Sequence, residues 1–259
     1  MAEVHPEDYL PFAEELATRA GEVVRRYFRR PFTVHEKGDL SPVTIADREV
    51  ETTLRAAIRN AYPDHGVIGE EFSPTQSDAE WVWVIDPIDG TKSFLIGRPI
   101  FGTLIALLHR GQPVMGIIDQ PIIGERWLGM SGIPTSFNFS PVHTRLCPDL
   151  KLATLCTTSP NLFSGKDTEA FERLRKSVKY TVYGGDCYSY GLLASGHVDI
   201  VLESDLKAHD FCALAPIVMG AGGLITDWRG NPLTLESAGH VLACGDRRTH
   251  AAALELLNR

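Results

Sequence analysis

Residues 81–91, reading W-V-W-V-I-D-P-I-D-G-T, constrain the fold more than any other stretch of the chain. Trp81 to Ile85 is an almost unbroken apolar, β-favouring run and predicts a buried strand. It runs into Asp86-Pro87-Ile88-Asp89-Gly90-Thr91, where the proline supplies no N–H, so the ladder is expected to stop there. Gly90 lets the backbone come close to whatever is bound. Two carboxylates so near each other at the end of a buried strand repel unless a cation lies between them. A divalent metal is the expected resident, and an aspartate capping the next helix is the competing reading for either acid alone.

Size and charge narrow the partners. With 259 residues the chain can bury a sizeable core in one large domain or two joined halves. Lys and Arg number 25 against 33 Asp and Glu, a net charge of −8, and the basic pairs Arg25-Arg26 and Arg29-Arg30 share one helix. That balance argues against nucleic acid or an anionic membrane as the main partner. An acidic protein still binds an anionic substrate if metal ions reverse the local field. The first residues lack the pattern of a signal peptide, and no apolar run approaches membrane-spanning length. Cys147, Cys156, Cys187, Cys212 and Cys244 show no C-x-x-C spacing and fit reduced, buried thiols of a cytoplasmic protein.

In chain order, residues 7–30 repeat Leu10, Ala13, Leu16, Ala20, Val23, Val24 and Phe28 at helical steps, and Pro31 helps end the helix. Residues 34–42 read as a surface loop. A second helix spans 44–62, burying Val50, Leu54, Ala57 and Ile58, with Asp47 in its first turn as a dipole-favoured anion or a cap. A short strand at 65–68 leads to Gly69-Glu70-Glu71, and neighbouring strands could bring that turn and Asp86–Asp89 to one sheet edge. A short helix at 92–96 precedes strands at 101–108, 114–119 and 126–130, an antiparallel part of the sheet. The Pro-, Ser- and Thr-rich residues 131–150 mark a boundary between an N-terminal half, 1–145, and a C-terminal half, 146–259. In the second half, strands at 152–156, 178–183, 197–202 and 224–226 alternate with helices at 167–177, 186–195, 211–220 and 247–257. Asp210 stands directly before the helix predicted at 211–220, where capping is its simplest reading, and Pro216 inside that helix requires a bend.

Thr44-Ile45-Ala46-Asp47, Gly69-Glu70-Glu71, Trp83 to Thr91, Asp210 in a W-D-x-A-like segment and Gly220-Ala221-Gly222-Gly223 follow in order. Together they resemble the inositol monophosphatase family of metal-dependent phosphomonoesterases over nearly the whole chain. One departure is His209, where many members have Trp before the aspartate. The resemblance implies an α/β, α+β-layered fold, the α-β-α-β-α sandwich, and a homodimer. It implies two or three Mg²⁺ ions, with Mn²⁺ as a substitute, held by Glu70, Asp86, Asp89, Asp210 and the Ile88 carbonyl. These are the hard oxygen ligands Mg²⁺ prefers. It further implies direct attack on a phosphomonoester by a metal-activated water, with Glu70 and Thr91 orienting or deprotonating it. Gly90, Thr91, Asp89 and Asp210 would contact the phosphate end, while Lys37 and Asp47 would support catalysis beside an outer metal.

The wall facing the rest of the substrate should come from residues 183–190 and Glu203. Gly185-Asp186-Cys187-Tyr188-Ser189-Tyr190 gives a G-D-x-x-x-Y pattern similar to the histidinol-phosphatase branch, as is Gly97 to Leu107, although Val182 stands where that branch often carries Arg. The expectation is a histidinol-phosphate phosphatase of histidine biosynthesis, with Asp186 and Glu203 facing the cationic end. The alternatives are an inositol-1-phosphate or broad sugar-phosphate phosphatase and, more remotely, a non-catalytic metal-dependent phosphometabolite-binding protein. Asp186 could instead cap the helix that follows, and Glu203 could be a solvated strand end.

Overall fold

A computed structural model describes residues 5–30, 34–36 and 42–259; Pro31 and Lys37 lie outside them. A 3-10 turn at Pro6–Tyr9 leads into α1 (Leu10–Tyr27), which buries Ala13, Leu16, Ala20, Val23 and Val24 at the expected steps. The stretch read as a loop instead contains two short antiparallel strands, β1 (Val34–Glu36) and β2 (Pro42–Thr44). Helix α2 (Ile45–Ala61) is capped by Thr44, whose Oγ1 accepts from the amides of Ala46 and Asp47. Asp47 answers by accepting from the Thr44 amide at 2.8 Å, which closes a capping box.

Strands β3 (Gly66–Gly69) and β4 (Trp81–Asp89) are parallel, with Gly69 opposite Ile85. The short helix α3 (Thr91–Leu95) follows, and then β5 (Gly102–His109), β6 (Gln112–Gln120), β7 (Glu125–Met130), β8 (Ile133–Phe137) and β9 (Ser140–Pro141). They form a seven-stranded sheet in sequence order. Pro87 does not end the ladder, contrary to the sequence expectation. Asp86 pairs with Leu104 and Asp89 with Gly102, so Pro87 and Ile88 together oppose Thr103. The Thr103 hydroxyl donates to the Pro87 carbonyl at 2.8 Å. This bulge re-aims both aspartates without breaking the strand. Strands β8 and β9, absent from the sequence reading, lie toward the sheet edge, where Pro134 and Pro141 are tolerated.

The second sheet is built from β10 (Thr154–Thr157), α4 (Lys166–Arg175), β11 (Tyr180–Tyr183), α5 (Asp186–Ala194) and β12 (Ile200–Glu203). After these come α6 (Ala208–Phe211), α7 (Leu214–Gly220), β13 (Leu224–Thr226), β14 (Val241–Cys244) and α8 (Arg247–Leu257). The strand order is β11-β10-β12-β14-β13, and β14, which the sequence reading missed, runs antiparallel to both neighbours. The single helix expected at 211–220 is two. Pro216 falls at the third position of α7, where its missing N–H would have had no intrahelical partner in any case.

Helices α1 and α2 cover one face of the seven-stranded sheet, α5 and α7 fill the space between the sheets, and α4 and α8 cover the outer face. This is the α-β-α-β-α sandwich. Its alternation is legible along single strands: Trp81, Trp83 and Ile85 of β4 enter the core under α1 and α2, while Val82 and Val84 enter the central core. Along β14, Val241 and Ala243 face the centre, and Leu242 and Cys244 face the outer core. Strands covered on both faces need no polar face, hence their continuous apolar runs. Helix α7 lies directly on its sheet: a Cβ at Gly116 would stand 1.9 Å from the Ala213 carbonyl oxygen, and one at Gly129 2.4 Å from the Ile217 Cα. All five cysteines are unpaired and buried, three in the central core and two in the outer one.

Candidate active site

The parallel pairing of β3 and β4 sets their ends side by side, so Glu70, just past β3, stands beside Asp86. The turn carrying Glu70 is tied down by Glu51 of α2. That fully buried carboxylate accepts from the Glu71 amide at 2.7 Å, the Phe72 amide at 3.3 Å and Arg55 Nε at 2.7 Å. Gly69 is required there, because a Cβ would meet Glu51 Oε1 at 2.1 Å. Asp210 enters from α6, which packs on β4. It is not the N-cap. It sits at the third helical position and accepts from the Lys207 amide at 2.6 Å.

Carboxylate oxygens of Asp86, Asp89 and Asp210 lie within 4.8 Å of one another, and so do ligand atoms of Glu70, Asp86 and His209. Burial, and then the neighbouring acids, push the Asp86 and Asp89 carboxyls well above the ordinary range. Asp210 moves upward for the same first reason. Asp47, 1% exposed, is pushed up to about 7 by burial despite its bonds from Thr44. One oxygen of Asp47 and one of Asp86 have no hydrogen-bond partner among the described residues. Buried acids crowded together with orphaned oxygens are stable as anions only if a cation neutralises them. The donor set, carboxylate oxygens with one imidazole at its margin, fits a hard divalent ion.

The remaining expected residues surround this cluster. The Ile88 carbonyl accepts from Thr91 Oγ1 at 3.1 Å, while the Ile88 side chain is buried in the core under the sheet. Gly90, with φ of 88°, precedes α3. Asp186 does not cap α5. Ser93 Oγ donates to its Oδ2 at 3.1 Å, and a Cβ at Gly90 would lie 2.8 Å from that oxygen. The first amides of α5 are used differently, since Cys187 N–H donates to Asp89. Gly184, Gly185 and Asp186 all have positive φ, and the strained aspartate is thereby turned onto the Asp89–Gly90 turn. Nor is Glu203 a solvated strand end. It is 2% exposed and accepts from Thr158 N at 2.8 Å, Thr158 Oγ1 at 3.0 Å and Thr157 Oγ1 at 3.4 Å. Burial pushes its carboxyl up to about 8, and the nearby Asp186 charge adds to the rise. Sequence reasoning missed the clamping role of Glu51 and the place of His209. Only the position of His209 beside Asp210 could have signalled it.

The pattern of the Inositol monophosphatase family matches residues 5–259. The chain is 50% identical to the chloroplastic bifunctional phosphatase IMPL2 of Arabidopsis thaliana, over 93% of this chain and 72% of that protein. It is 36% identical to a histidinol-phosphatase of Chlorobaculum parvum, over 90% of this chain and 91% of that protein. Among solved structures, an inositol monophosphatase from Zymomonas mobilis superposes with a TM-score of 0.91 at 47% identity, covering 99% of this chain and all of that one.

Proposed function

The chain belongs to the inositol monophosphatase family and is a metal-dependent phosphatase, and from that premise we propose that it hydrolyses L-histidinol phosphate with Mg²⁺. The observation that carries the substrate is a pair of acids beside the Asp89–Gly90 turn, half-buried Asp186 and buried Glu203, near enough that the charge of Asp186 raises the Glu203 carboxyl. Histidinol phosphate carries an ammonium and a protonatable imidazole, whereas inositol phosphate offers only hydroxyls beyond its phosphate. Two acids are a costly lining for hydroxyls and a complementary one for a cation. Likeness to the Chlorobaculum histidinol-phosphatase supports the same reading.

We assign the metal to Glu70, Asp86, Asp89, Asp210 and the Ile88 carbonyl, with His209 at the margin. Bound there, Mg²⁺ supplies Lewis-acid stabilisation of the phosphoryl and leaving oxygens and makes a water acidic enough to deprotonate. Thr91 Oγ1, steered by the Ile88 carbonyl, orients the attacking water, and Glu70 takes its proton. The Gly90 and Thr91 amides hold the phosphate. Asp210 positions the proton source for the departing alkoxide, and Asp47 supports the site from α2. Water attacks directly, so no side chain becomes phosphorylated.

The test is kcat/KM with Mg²⁺ on L-histidinol phosphate and on myo-inositol 1-phosphate. A clear preference for the first is expected, and Asp186→Ala should lower it by about ten- to a hundredfold, the worth of one charge-assisted hydrogen bond. Preference for the inositol ester would instead favour the second reading, which the likeness to the Zymomonas enzyme supports. We further expect a homodimer, as the family resemblance implies; a monomeric mass by light scattering would remove that expectation.

A further inference from the structure

Tyr190, on the inner face of α5, is 2% exposed, and its hydroxyl has no hydrogen-bond partner among the described residues. Tyr190 stands one turn after Asp186 on α5 and belongs to the central core, and a long helical side chain leans back toward the preceding turn. There the Cys187 amide holds Asp89. Helix α5 also packs on β12, the strand that ends in Glu203. Burial first, then Glu203, Asp89 and Asp210, raise the phenol well above its ordinary range and keep it a protonated donor. Glu203 is unevenly satisfied: among the described residues Oε1 takes two bonds from Thr158, whereas Oε2 has only Thr157 Oγ1 at 3.4 Å. An unused buried donor thus stands within the field of an under-used buried acceptor.

Resting on the reading that Glu203 faces a cationic substrate group, we propose that Tyr190 is a specificity-determining positioning residue whose hydroxyl donates to Glu203 in the substrate complex. The substrate's cation draws Glu203 away from Thr157, and Tyr190 then holds the carboxylate in its turned position. In the free protein the hydroxyl is a buried group without a partner among the described residues, a destabilising state that a purely structural tyrosine would avoid. Loss of the oxygen should therefore leave the free fold intact and be felt only in discrimination between substrates.

The experiment uses Tyr190→Phe, Glu203→Gln and the double variant, with kcat and KM measured on L-histidinol phosphate and myo-inositol 1-phosphate and Tm on the free protein. Tyr190→Phe should lower the ratio of the two kcat/KM values by about five- to tenfold, the worth of one hydrogen bond. The loss should appear in KM for the histidinol ester, Tm should hold or rise, and the double variant should be no less selective than Glu203→Gln alone. Equal losses on both esters, a fall in Tm or additive effects in the double variant would overturn the proposal. If Glu203→Gln leaves the ratio untouched, the cation-wall reading fails and takes this inference with it. If Glu203→Gln collapses the ratio while Tyr190→Phe does not, the Tyr190 inference alone fails.

Discussion

Asp86 is 2% exposed, has one oxygen without a hydrogen-bond partner among the described residues and stands among Glu70, Asp89 and Asp210. Its charge is a burden without a cation and a ligand with one, so a neutral isostere separates stability from function. Asp86→Asn or Asp89→Asn should cut Mg²⁺-dependent turnover by more than about a hundredfold, since even outer partners of ligands cost up to that. The Tm of the chelated protein should hold or rise as like charges are removed. Near wild-type turnover at saturating Mg²⁺ would refute the ligand assignment. Glu51→Gln tests the clamp on the Glu70 turn: apparent Mg²⁺ affinity should weaken by about ten- to a hundredfold, with activity recovering as Mg²⁺ is raised. Turnover that stays low at saturation would mean Glu51 does more than hold the turn. The acids of the cluster were legible because they sit in contiguous strings whose spacing carries their chemistry. Glu51 was not, since its partners Glu71 and Phe72 lie far along the chain and meet it only through packing of α2 on the sheet.

Elements place Asp210 in the site. Helix α7 rests on β6 and β7 with glycines at both contacts, and α6, immediately before it, presents Asp210 to β4. A methyl group at Gly129 would meet helix backbone rather than a yielding side chain. Gly129→Ala should therefore cost about 1–3 kcal/mol by overpacking and, by lifting α7, weaken activity as well. Chemical denaturation and turnover on the same samples check both, and an unchanged midpoint would show that the contact relaxes freely. The same region shows where sequence reading fails. Periodicity found the apolar residues of 211–220 but not the break at Cys212–Ala213, and the proline that suggested a bend lies harmlessly in a first turn. Pro87 misled in the opposite sense, because it sits in a bulge where the register shifts, and the Thr103 hydroxyl satisfies its carbonyl. Strand β14 escaped notice as a short apolar run close before a helix, although it pairs with strands on both sides.

At the scale of the molecule, the buried acids tie folding to proton and metal concentration. Asp47 and Glu203 stand at about 7 and 8, against ordinary carboxyl values of about 4. The folded chain thus keeps protons that the unfolded chain releases between about pH 4 and 8, so stability falls as pH rises through that window. Metal-free protein should show its highest Tm near the acid end of that range and a steady decline toward about pH 8, with Glu203→Gln flattening part of the slope. A Tm indifferent to pH there would mean that these carboxyls are already ionised in the fold. Added Mg²⁺ should raise Tm most at the alkaline end, where its ligands are most ready to shed protons. The five hidden thiols offer a separate readout of the same fold. Cys156, Cys187 and Cys212 lie between the sheets, Cys147 and Cys244 in the outer core, and the core under α1 and α2 holds none. An alkylating reagent added to native protein can mark a cysteine only when its layer parts, so peptide masses taken over time give an order of opening for the C-terminal layers. Because the Cys187 amide holds Asp89, Mg²⁺ should slow alkylation at Cys187 more than at Cys147, turning an inert sulfur into a gauge of metal occupancy.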